Sequence, residues 1–362
     1  MKRYGNLFEK VWEYENIKLA HKKAKKDKLF YKEVKIVDSN VSYYLSEIQS
    51  MLKNQTYTVK ESDYKPFTKT DKGKEREIYK LDYFPHRIIQ HALMNVIEDV
   101  FLSNFIDNTF ASIPGRGIHQ ALNRIDRDLK NREETKYCFK MDIKKFYPSI
   151  DQQIAKDQLR SKFKDKKLLW LMDMIIESME GNKGIAIGSL YSQWQGNFYL
   201  SSFDHWLKEV KKIKYYYRYC DDIVIFYKDK KFLHNLKLEV EQYLNSNLNL
   251  KIKGNWQIFP TFIRGVDFVG YRHFGDYILL RKSTAKSLKR KMTRLLKRCR
   301  SGKRMSYGEW CSVNSYSGWI LYCNGENLSN TYIKPLIKYT NKYYKEVIQR
   351  ESKRHSEKCK TR

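Results

Sequence analysis

Residues 215–227 read Tyr215-Tyr216-Tyr217-Arg218-Tyr219-Cys220-Asp221-Asp222-Ile223-Val224-Ile225-Phe226-Tyr227, and this segment largely determines which fold the chain adopts. Both ends are apolar and rich in β-forming residues, and the polar residues Arg218–Asp222 separate them, a pattern that predicts a β-hairpin. Two adjacent aspartates stand at its tip, although like charges repel and aspartate disfavours strands. A turn alone would favour Asp-Gly or Asn-Gly. A divalent cation such as Mg²⁺, which takes hard oxygen ligands, would offset the repulsion.

A third acidic residue fits the same site. Asp142 ends the run Cys138–Met141 and precedes Ile143. One aspartate at a strand end is more often a cap or an ion-pair partner. Together with Asp221 and Asp222, however, it would place three carboxylates on neighbouring strand ends, enough to hold two metal ions about 3.5–4 Å apart for phosphoryl transfer. In that arrangement one ion activates a 3′-hydroxyl group and the other holds the leaving pyrophosphate.

The charge balance indicates a polyanionic partner. The 362 residues include 71 Lys and Arg against 41 Asp and Glu, a formal net charge of +30, and nucleic acid is the simplest partner for such a chain. A membrane surface is the other option, but we find no stripe with apolar and basic faces of the needed size. Because 41% of the residues are hydrophobic, the chain can bury a sizeable core, and its length suggests about two domains.

Cysteine usage and the uncharged segments predict a cytoplasmic protein. None of the six cysteines forms a C-x-x-C pair or falls at zinc-finger spacing with histidines, so we expect reduced thiols inside the cell. No apolar run follows the first residues, and we expect no signal peptide. The longest uncharged stretch, residues 184–203, has the length of a membrane span but contains Ser, Gln and Asn side chains and three glycines, so we expect no membrane segment.

Periodicity predicts the remaining elements. Apolar residues at helical spacing predict helices over 7–30, 86–101, 151–180, 231–247 and from Ser283 onward. Short β-rich runs predict strands within 55–82 and over 137–146, 252–258 and 268–277. Beyond the helix at Ser283, we expect a polar loop near Gly302 and Gly308, an aromatic patch and a final lysine-rich helix.

Positive charge is concentrated at the C-terminal end. Residues 281–362 contain 22 basic and five acidic residues, so more than half of the net charge lies in less than a quarter of the chain. Aromatic residues such as Trp310 and Trp319 interleave with the charge, as in surfaces that stack on bases, although a solvated basic helix would carry the same charges. We expect nucleic-acid contacts from one set of basic side chains: Lys286, Lys289, Arg290, Lys291, Arg294, Lys297 and Arg298.

Four motifs resemble those of reverse transcriptases, in the order in which that family carries them. Tyr219–Asp222 resembles the Tyr-x-Asp-Asp box, and Met141–Asp151 is similar to the first palm motif of the bacterial enzymes. Phe268–Tyr271 is similar to their primer grip, and Arg87–Leu93 resembles a fingers motif. The resemblance implies an α/β (α+β) right-hand polymerase, with fingers and palm around an antiparallel sheet followed by a small helical thumb. We therefore expect three regions: an N-terminal helical extension over 1–30, fingers and palm over 31–280, and a basic helical thumb and tail over 281–362.

The resemblance assigns the chemistry to individual residues. Asp142, Asp221 and Asp222 match the metal ligands. The backbone carbonyl of Ile143 joins them, and the expected cofactor is two Mg²⁺ ions, for which Mn²⁺ can substitute. Tyr147 matches the steric gate that excludes a ribose 2′-hydroxyl group; without that role it would be a core aromatic residue.

Further roles concern the nucleotide and the primer. The basic fingers residues Lys74, Arg76 and Arg87 suit a nucleotide triphosphate, since arginine can grip phosphate with two parallel hydrogen bonds, but each could equally be surface charge. Lys251 is a candidate proton donor to pyrophosphate, or else a solvated lysine at a strand end. The resemblance assigns the primer grip to Phe268, Gly270 and Tyr271.

The segment Ile187–Gln193 resembles that of one subfamily. Most reverse transcriptases carry Gln-Gly-x-x-x-Ser-Pro there, and this chain keeps Gly188 and Ser192 but has Ile187 and Gln193 at the outer positions. This version resembles diversity-generating retroelements, whose enzymes copy a template RNA unfaithfully at adenines before the cDNA replaces a variable region. A glutamine can hydrogen-bond the incoming nucleotide and isoleucine cannot, so we expect weaker discrimination. We expect Gly188 to let the backbone approach the nucleotide.

The resemblance also implies the partners. They are template RNA, the RNA/cDNA duplex, dNTPs and a small basic helical accessory protein that acts as an oligomer. Three alternatives stay open. A defence-associated or retron-type bacterial reverse transcriptase, making cDNA in anti-phage immunity, would carry the same palm motifs. A catalytically dead RNA-binding scaffold would not need the three aspartates, and a basic membrane-surface protein would need an amphipathic stripe.

Overall fold

The computed structural model describes residues 3–71 and 74–340, and only the backbone at residues 71 and 74. The chain divides into two compact units. The first contains the described residues up to Gly117 together with Phe139–Ile225 and Asp229–Ile258, and the second contains Ile118–Cys138, Phe226–Lys228 and the described residues from Phe259 onward. The boundaries predicted at residues 30 and 280 delimit functional regions rather than compact units, and they stay predictions.

Helices dominate the described chain. In order they are α1 (Phe8–Trp12), α2 (Tyr14–Ala24), α3 (Lys32–Ser39), α4 (Val41–Lys53), α5 (Ile88–Leu102), α6 (Ile118–Asp128), α7 (Phe146–Ser149), α8 (Gln152–Lys162), α9 (Lys166–Ile176), α10 (Leu190–Tyr199), α11 (Ser201–His205), α12 (Lys230–Leu248), α13 (Thr261–Arg264), α14 (Lys282–Arg300), α15 (Tyr307–Ile320), α16 (Glu326–Leu328) and α17 (Lys334–Ile337). A 3₁₀ turn and π-helical segments add to them: Glu61–Asp63, Tyr83–Arg87, Trp206–Val210 and Ser329–Ile333. In this part of the chain, no helix has the length and apolar character that crossing a membrane requires.

The strands form three sheets. They are β1 (Lys65–Asp71), β2 (Lys74–Lys80), β3 (Tyr137–Asp142), β4 (Tyr215–Tyr219), β5 (Asp222–Tyr227), β6 (Gln257–Pro260), β7 (Val266–Phe268), β8 (Tyr271–His273) and β9 (Ile278–Leu280). β1 and β2 form an antiparallel ribbon in which Lys69 faces Arg76, and β7, β8 and β9 form a second antiparallel sheet. The largest sheet has the order β4-β5-β3-β6. This mixture of helices and antiparallel strands, with the hairpin inside the largest sheet, confirms the predicted fold class.

One aspartate fixes two helices of the first unit. Asp165 accepts a hydrogen bond from the N–H of Leu168 (3.2 Å) at the start of α9, and others from the N–H groups of Leu7 and Phe8 (2.8 and 2.9 Å). An aspartate at this position satisfies backbone donors that have no partner within the helix. Asp165 therefore begins α9 and also anchors the N-terminal helix α1.

The second unit is built on an amphipathic helix. The buried side of α14 consists of Leu288, Met292, Leu295 and Cys299, spaced three or four residues apart, and its basic residues cover the other faces. α15 begins with a capping box in which Ser306 and Glu309 bond each other's backbone N–H groups. This box places Gly308 inside the helix, so the expected polar loop ends before it.

The structure confirms most predicted elements and shortens some. The hairpin and the helices at 86–101, 231–247 and from Ser283 are confirmed by β4–β5, α5, α12 and α14. The single helices predicted over 7–30 and 151–180 are each two helices, and the second pair divides where Asp165 caps α9. The strand predicted over 137–146 ends at Asp142, and the turn that follows includes Lys145 in a left-handed conformation. The predicted lysine-rich final helix falls on residues 341–362, outside the described residues.

Candidate active site

The hairpin turn presents two of the candidate carboxylates. β4 and β5 are buried along most of their length, and the turn between them is tighter than expected, because only Cys220 and Asp221 lie outside the strands. Cys220 has a left-handed backbone (φ +57°), which residues other than glycine rarely adopt and which concentrates at functional sites. Asp222 begins β5 directly after the turn.

Asp142 and Asp221 come together. β3 lies beside β5 in the sheet, and the N–H of Ile143 donates to the Asp221 carbonyl (3.3 Å). The Asp142 carboxyl group is therefore close enough for its charge to act on Asp221. Burial, together with the negative charge of Asp142, raises the pKa of the Asp221 carboxyl above its ordinary value. Two carboxyl groups this close to each other need a shared proton or a cation.

Two lysines that the sequence did not single out contact the acidic residues. The Lys253 Nζ atom lies 3.4 Å from Asp142 Oδ2, and the Lys253 N–H donates to the Asp142 carbonyl (2.8 Å). The Lys140 Nζ atom lies 3.5 Å from Asp222 Oδ1. Ion pairs between partly exposed side chains contribute little to stability. These lysines therefore partly neutralise the site without fixing it rigidly.

The three carboxylates are not equivalent. Asp221 lies beside Asp142, whereas Asp222 pairs with Lys140. Within residues 3–71 and 74–340, no group of three or more His, Cys, Asp or Glu side chains has the arrangement of a metal site. The donor set nevertheless fits Mg²⁺, because the carboxylates of Asp142 and Asp221 supply hard oxygen ligands.

Tyr147 lies against the hairpin turn. The Cys220 thiol donates to the Tyr147 hydroxyl group (3.5 Å). Burial raises the pKa of both groups, that of Cys220 to about 12, so both are neutral near pH 7. Gly196 of α10 backs the ring, since a Cβ atom at that position would lie 3.1 Å from a ring carbon of Tyr147. Tyr147 therefore has a fixed place beside the turn that carries Asp221.

The Ile187–Gln193 segment packs on strand β2. The N–H of Tyr79 donates to the Ile187 carbonyl (2.8 Å). Gly188 has φ +110°, and a Cβ atom there would lie 2.8 Å from Ile78 Cγ2. Gly188 therefore permits a close backbone approach to β2, and its expected approach to the nucleotide stays a prediction.

A cavity of about 460 Å³ lies beside this segment. Arg87, Gly188 and Gln193 line it, together with the aromatic side chains of Tyr31 and Phe67. Gln90, in the fingers motif, lines it too, and its Oε1 atom accepts hydrogen bonds from the Ser189 hydroxyl (2.9 Å) and the Leu190 N–H (3.1 Å). The fingers motif and the Ile187–Gln193 segment therefore meet at one cavity.

Two other candidates, Arg76 and Lys251, have no described contact with the carboxylates. Arg76 is exposed on β2, and the side chain of Lys74 is outside the described part. Lys251 is exposed, and it is Lys253, two residues later, whose ammonium group contacts Asp142. The role proposed for Lys251 has no support in these contacts and stays a prediction.

The primer-grip candidates form a strained turn in the second unit. Phe268 ends β7, Tyr271 begins β8, and Gly270 between them has φ +91°. Val269 is also left-handed (φ +44°), which is costly for a β-branched residue. The Trp319 indole packs directly over Gly270, and the Tyr271 hydroxyl donates to the Trp319 carbonyl (3.0 Å). Helix α15 thus supports this turn.

The seven basic residues of α14 that are predicted to contact nucleic acid fall into two groups. Lys286, Lys289, Arg290, Arg294 and Lys297 are exposed. Lys291 is exposed but donates to the Ser312 hydroxyl (2.6 Å), and half-buried Arg298 forms an ion pair with Glu309, both on α15. Lys291 and Arg298 therefore connect two helices, and the other five remain suited to nucleic-acid contacts.

An antiparallel sheet whose hairpin turn brings a carboxylate against another from the neighbouring strand, flanked by helices, is the palm of a nucleotidyl-transferring polymerase. The sequence profile of the reverse transcriptase (RNA-dependent DNA polymerase) family matches residues 45–272. This match covers more than half of the 362 residues, and the chain belongs to the reverse transcriptase family.

More remote likenesses accompany the family match. Protein YkfC of Escherichia coli (strain K12) is 20% identical in an alignment of 228 positions that covers 51% of this chain and 60% of YkfC. Telomerase from Candida tropicalis, solved with a fragment of telomeric RNA, has 14% identity and a TM-score of 0.44, covering 63% of this chain and 46% of that one. Telomerase from Candida albicans has 13% identity and a TM-score of 0.47, covering 67% and 52%. The chain therefore spans about half to three fifths of these relatives.

Proposed function

We propose that the chain is an RNA-directed DNA polymerase that copies a template RNA into cDNA. The observation that carries the proposal is the position of Asp221, in the hairpin turn beside Asp142 at the end of the neighbouring strand β3. Like charges held together in a partly buried position destabilise a fold unless a cation joins them. A purely structural role offers no reason to keep this pair, whereas metal-dependent phosphoryl transfer requires one.

Different residues of the site would have different roles. Bound Mg²⁺, or Mn²⁺ in its place, would stabilise the charge that develops on phosphoryl oxygens. Asp142 and Asp221 would hold the metal, with Asp222 and the Ile143 carbonyl as the further ligands that the family resemblance implies. Tyr147, which Cys220 and Gly196 hold in place, would exclude a ribose 2′-hydroxyl group.

Basic side chains would bind the substrates. Arg87, at the cavity beside the Ile187–Gln193 segment, and exposed Arg76, together with Lys74, would contact the nucleotide triphosphate. The net charge of +30 and the exposed cations of α14 support template RNA and the RNA/cDNA duplex as ligands. The primer-grip turn around Gly270 would guide the primer end.

We further propose error-prone copying at template adenines, for mutagenic retrohoming in a diversity-generating retroelement. Ile187 and Gln193 support this assignment through their resemblance to that subfamily. An apolar side chain at residue 187 offers the nascent pair contact area but no directional bond. A small basic helical accessory protein would act with the chain on RNA, in the cytoplasm.

Primer extension on an RNA template tests the polymerase assignment. The purified wild-type protein should extend a DNA primer with dNTPs and Mg²⁺, and Asp221→Ala combined with Asp222→Ala should abolish extension. Loss of two neighbouring negative charges should leave the thermal midpoint of the metal-free protein unchanged or higher. The control is Asp107→Ala, whose side chain is 84% exposed. Extension by the double variant with Mg²⁺ or Mn²⁺ would contradict the metal-site assignment.

Sequencing the cDNA separates the two biological roles. Errors concentrated opposite template adenines would support retroelement diversification. Copying of adenines as faithful as that of the other bases would favour the alternative, a defence-associated or retron-type enzyme. Neither outcome bears on whether the chain is a polymerase, which primer extension tests separately.

A further inference from the structure

A charged pair lies in the core of the first unit, next to the hairpin turn. Arg218 on β4 and Asp204 on α11 are both fully buried, and the Arg218 Nη2 atom lies 2.5 Å from Asp204 Oδ2. The sequence had suggested that Arg218 belongs to a polar tip, yet it has no accessible surface. Desolvating two charges is expensive, and a well-packed apolar pair is often at least as stable in a core. Such a pair therefore calls for a reason other than stability.

Every donor of the Arg218 guanidinium group is used. Nε donates to Asp204 Oδ1 (2.8 Å), and Nη2 donates to Asp204 Oδ2 and to the Asn197 carbonyl (3.2 Å). Nη1 donates to Asn197 Oδ1 and to the Cys220 carbonyl (both 3.1 Å). A guanidinium group has five N–H donors in a fixed planar fork, and these contacts are five. No other side chain offers this geometry.

The hydrogen bond from Arg218 to the Cys220 carbonyl connects this buried pair to the candidate active site. Cys220 holds the left-handed conformation that makes the turn tight, and its carbonyl belongs to the peptide group that leads into Asp221. Fixing that peptide group fixes the direction in which the Asp221 side chain leaves the turn. The Cys220 thiol, on the same residue, contacts the Tyr147 hydroxyl group.

Helix α10 links the hydrogen bonds of Arg218 to Tyr147. Asn197 accepts two of the five Arg218 hydrogen bonds, and its own side-chain amide donates to the Ala111 carbonyl (2.7 Å). The preceding residue, Gly196, lies against the Tyr147 ring. Arg218 therefore ties the turn to the helix that backs Tyr147.

We propose that Arg218 is a positioning residue that holds the hairpin turn, and with it Asp221, against α10, while Asp204 neutralises its charge. This role rests on the proposed polymerase function of the turn. The rest of the network serves Asp204: the Tyr216 hydroxyl donates to Oδ1 (2.5 Å) and the Thr109 hydroxyl to Oδ2 (3.2 Å). The Tyr216 and Thr109 hydroxyl groups contact Asp204, and no described contact joins either of them to the hairpin turn.

Thiol labelling measures the order of the turn independently of catalysis. Cys220 is half-buried, so a thiol reagent should modify it slowly in the wild-type protein, and Cys138, which is fully buried, reports global unfolding. Mass spectrometry of the digested protein gives the rate at each cysteine. Arg218→Lys keeps the charge opposite Asp204 but cannot reproduce the planar fork. We expect it to speed labelling of Cys220 about tenfold, as for the loss of one or two hydrogen bonds, with Cys138 unchanged.

Thr109→Val is the matched control. It removes one hydrogen bond to Asp204 within the same buried network and should leave Cys220 labelling and primer extension close to wild type. Arg218→Lys should lower kcat while the dissociation constant for the template–primer duplex stays unchanged. If the lysine variant fails to fold, Asn197→Ala, which removes one acceptor of Arg218 and spares the ion pair, takes its place with the same expectations.

Two outcomes would overturn the proposal. One is unchanged Cys220 labelling in a folded variant, which would mean that the turn does not depend on Arg218. The other is acceleration that is not specific to Arg218 and the turn, seen either as equal acceleration at Cys220 and Cys138 or as equally fast Cys220 labelling in Thr109→Val, which would mean that the pair only supports the fold. Failure of the polymerase assignment would show separately, as absence of primer extension by the wild-type protein, and would leave the labelling comparison valid.

Discussion

Neutralising one face of helix α14 should weaken nucleic-acid binding in a salt-dependent way. Four exposed cations on this helix lie three or four residues apart and so share a face: Lys286, Arg290, Arg294 and Lys297. At 1.5 Å per residue they span about 16 Å, which corresponds to roughly five base steps of 3.4 Å. One strand of a duplex therefore offers enough phosphates for all four.

The expected change in the salt dependence of binding follows from counterion release. Each phosphate contact contributes about 0.7 to the slope of log affinity against log salt for a single strand and about 0.9 for a duplex. Changing all four residues to glutamine should therefore reduce the slope by about 3 to 4. Fluorescence anisotropy of a labelled RNA/DNA duplex across a series of salt concentrations measures this slope.

The same helix supplies a matched control. Lys291 and Arg298 carry the same charge but contact Ser312 and Glu309 on α15. Changing these two to glutamine should lower the thermal midpoint and leave the slope nearly unchanged. An unchanged slope after the fourfold substitution would refute the assignment and mean that this face of α14 meets solvent or an accessory protein.

Three further predictions concern the first unit. Ile187→Gln should lower misincorporation opposite template adenines, and equal adenine errors in both proteins, read by cDNA sequencing, would contradict the role given to Ile187. Gly188→Ala should cost roughly 1–3 kcal/mol of unfolding free energy, because the left-handed backbone disfavours a Cβ atom that would also meet Ile78, and urea unfolding measures the loss. Tyr147→Ala should raise the efficiency of rNTP relative to dNTP incorporation by about tenfold or more, and an unchanged ratio would argue against the steric gate.

The sequence predicted those helices and strands that depend on the spacing of apolar residues within one segment. The hairpin followed from β-rich residues on both sides of an acidic tip, and α5, α12 and α14 followed from apolar residues at helical spacing. The division of the helix predicted over 151–180 was readable in principle, because Asp165 followed by an apolar run is an N-cap signal. The apolar residues continue at helical spacing through Asp165, however, so the sequence pattern alone did not show that a new helix begins there.

Contacts between distant segments could not be predicted in the same way. Lys253 reaches Asp142 across 111 residues of sequence, and among many lysines nothing marks it. Arg218 stands in a run of polar residues that predicted an exposed tip, yet β4 continues through it and buries it. One signal was available: strand alternation places Arg218 on the same face as Tyr216, and both contact Asp204.

The uncharged stretch over residues 184–203 has its physical reason in α10. Every residue of this helix from Tyr191 to Tyr199 except Gln193 is buried. A helix covered on all sides cannot carry a charge without a large desolvation cost, which explains a composition that otherwise resembles a membrane span. Among its polar residues, Asn197 has a buried partner in Arg218.

Helix α10 also determines which properties should change together. Its first turn is the end of the Ile187–Gln193 segment and contacts Gln90 of α5, and near its own end Gly196 and Asn197 contact Tyr147 and Arg218. A substitution that shifts this helix should therefore alter fidelity, sugar discrimination and the hairpin turn at once. Ile187→Gln lies before the helix, where a backbone hydrogen bond from β2 already fixes the chain, and so it should change fidelity alone. A change in sugar discrimination by that variant would mean that the segment and the helix move as one body.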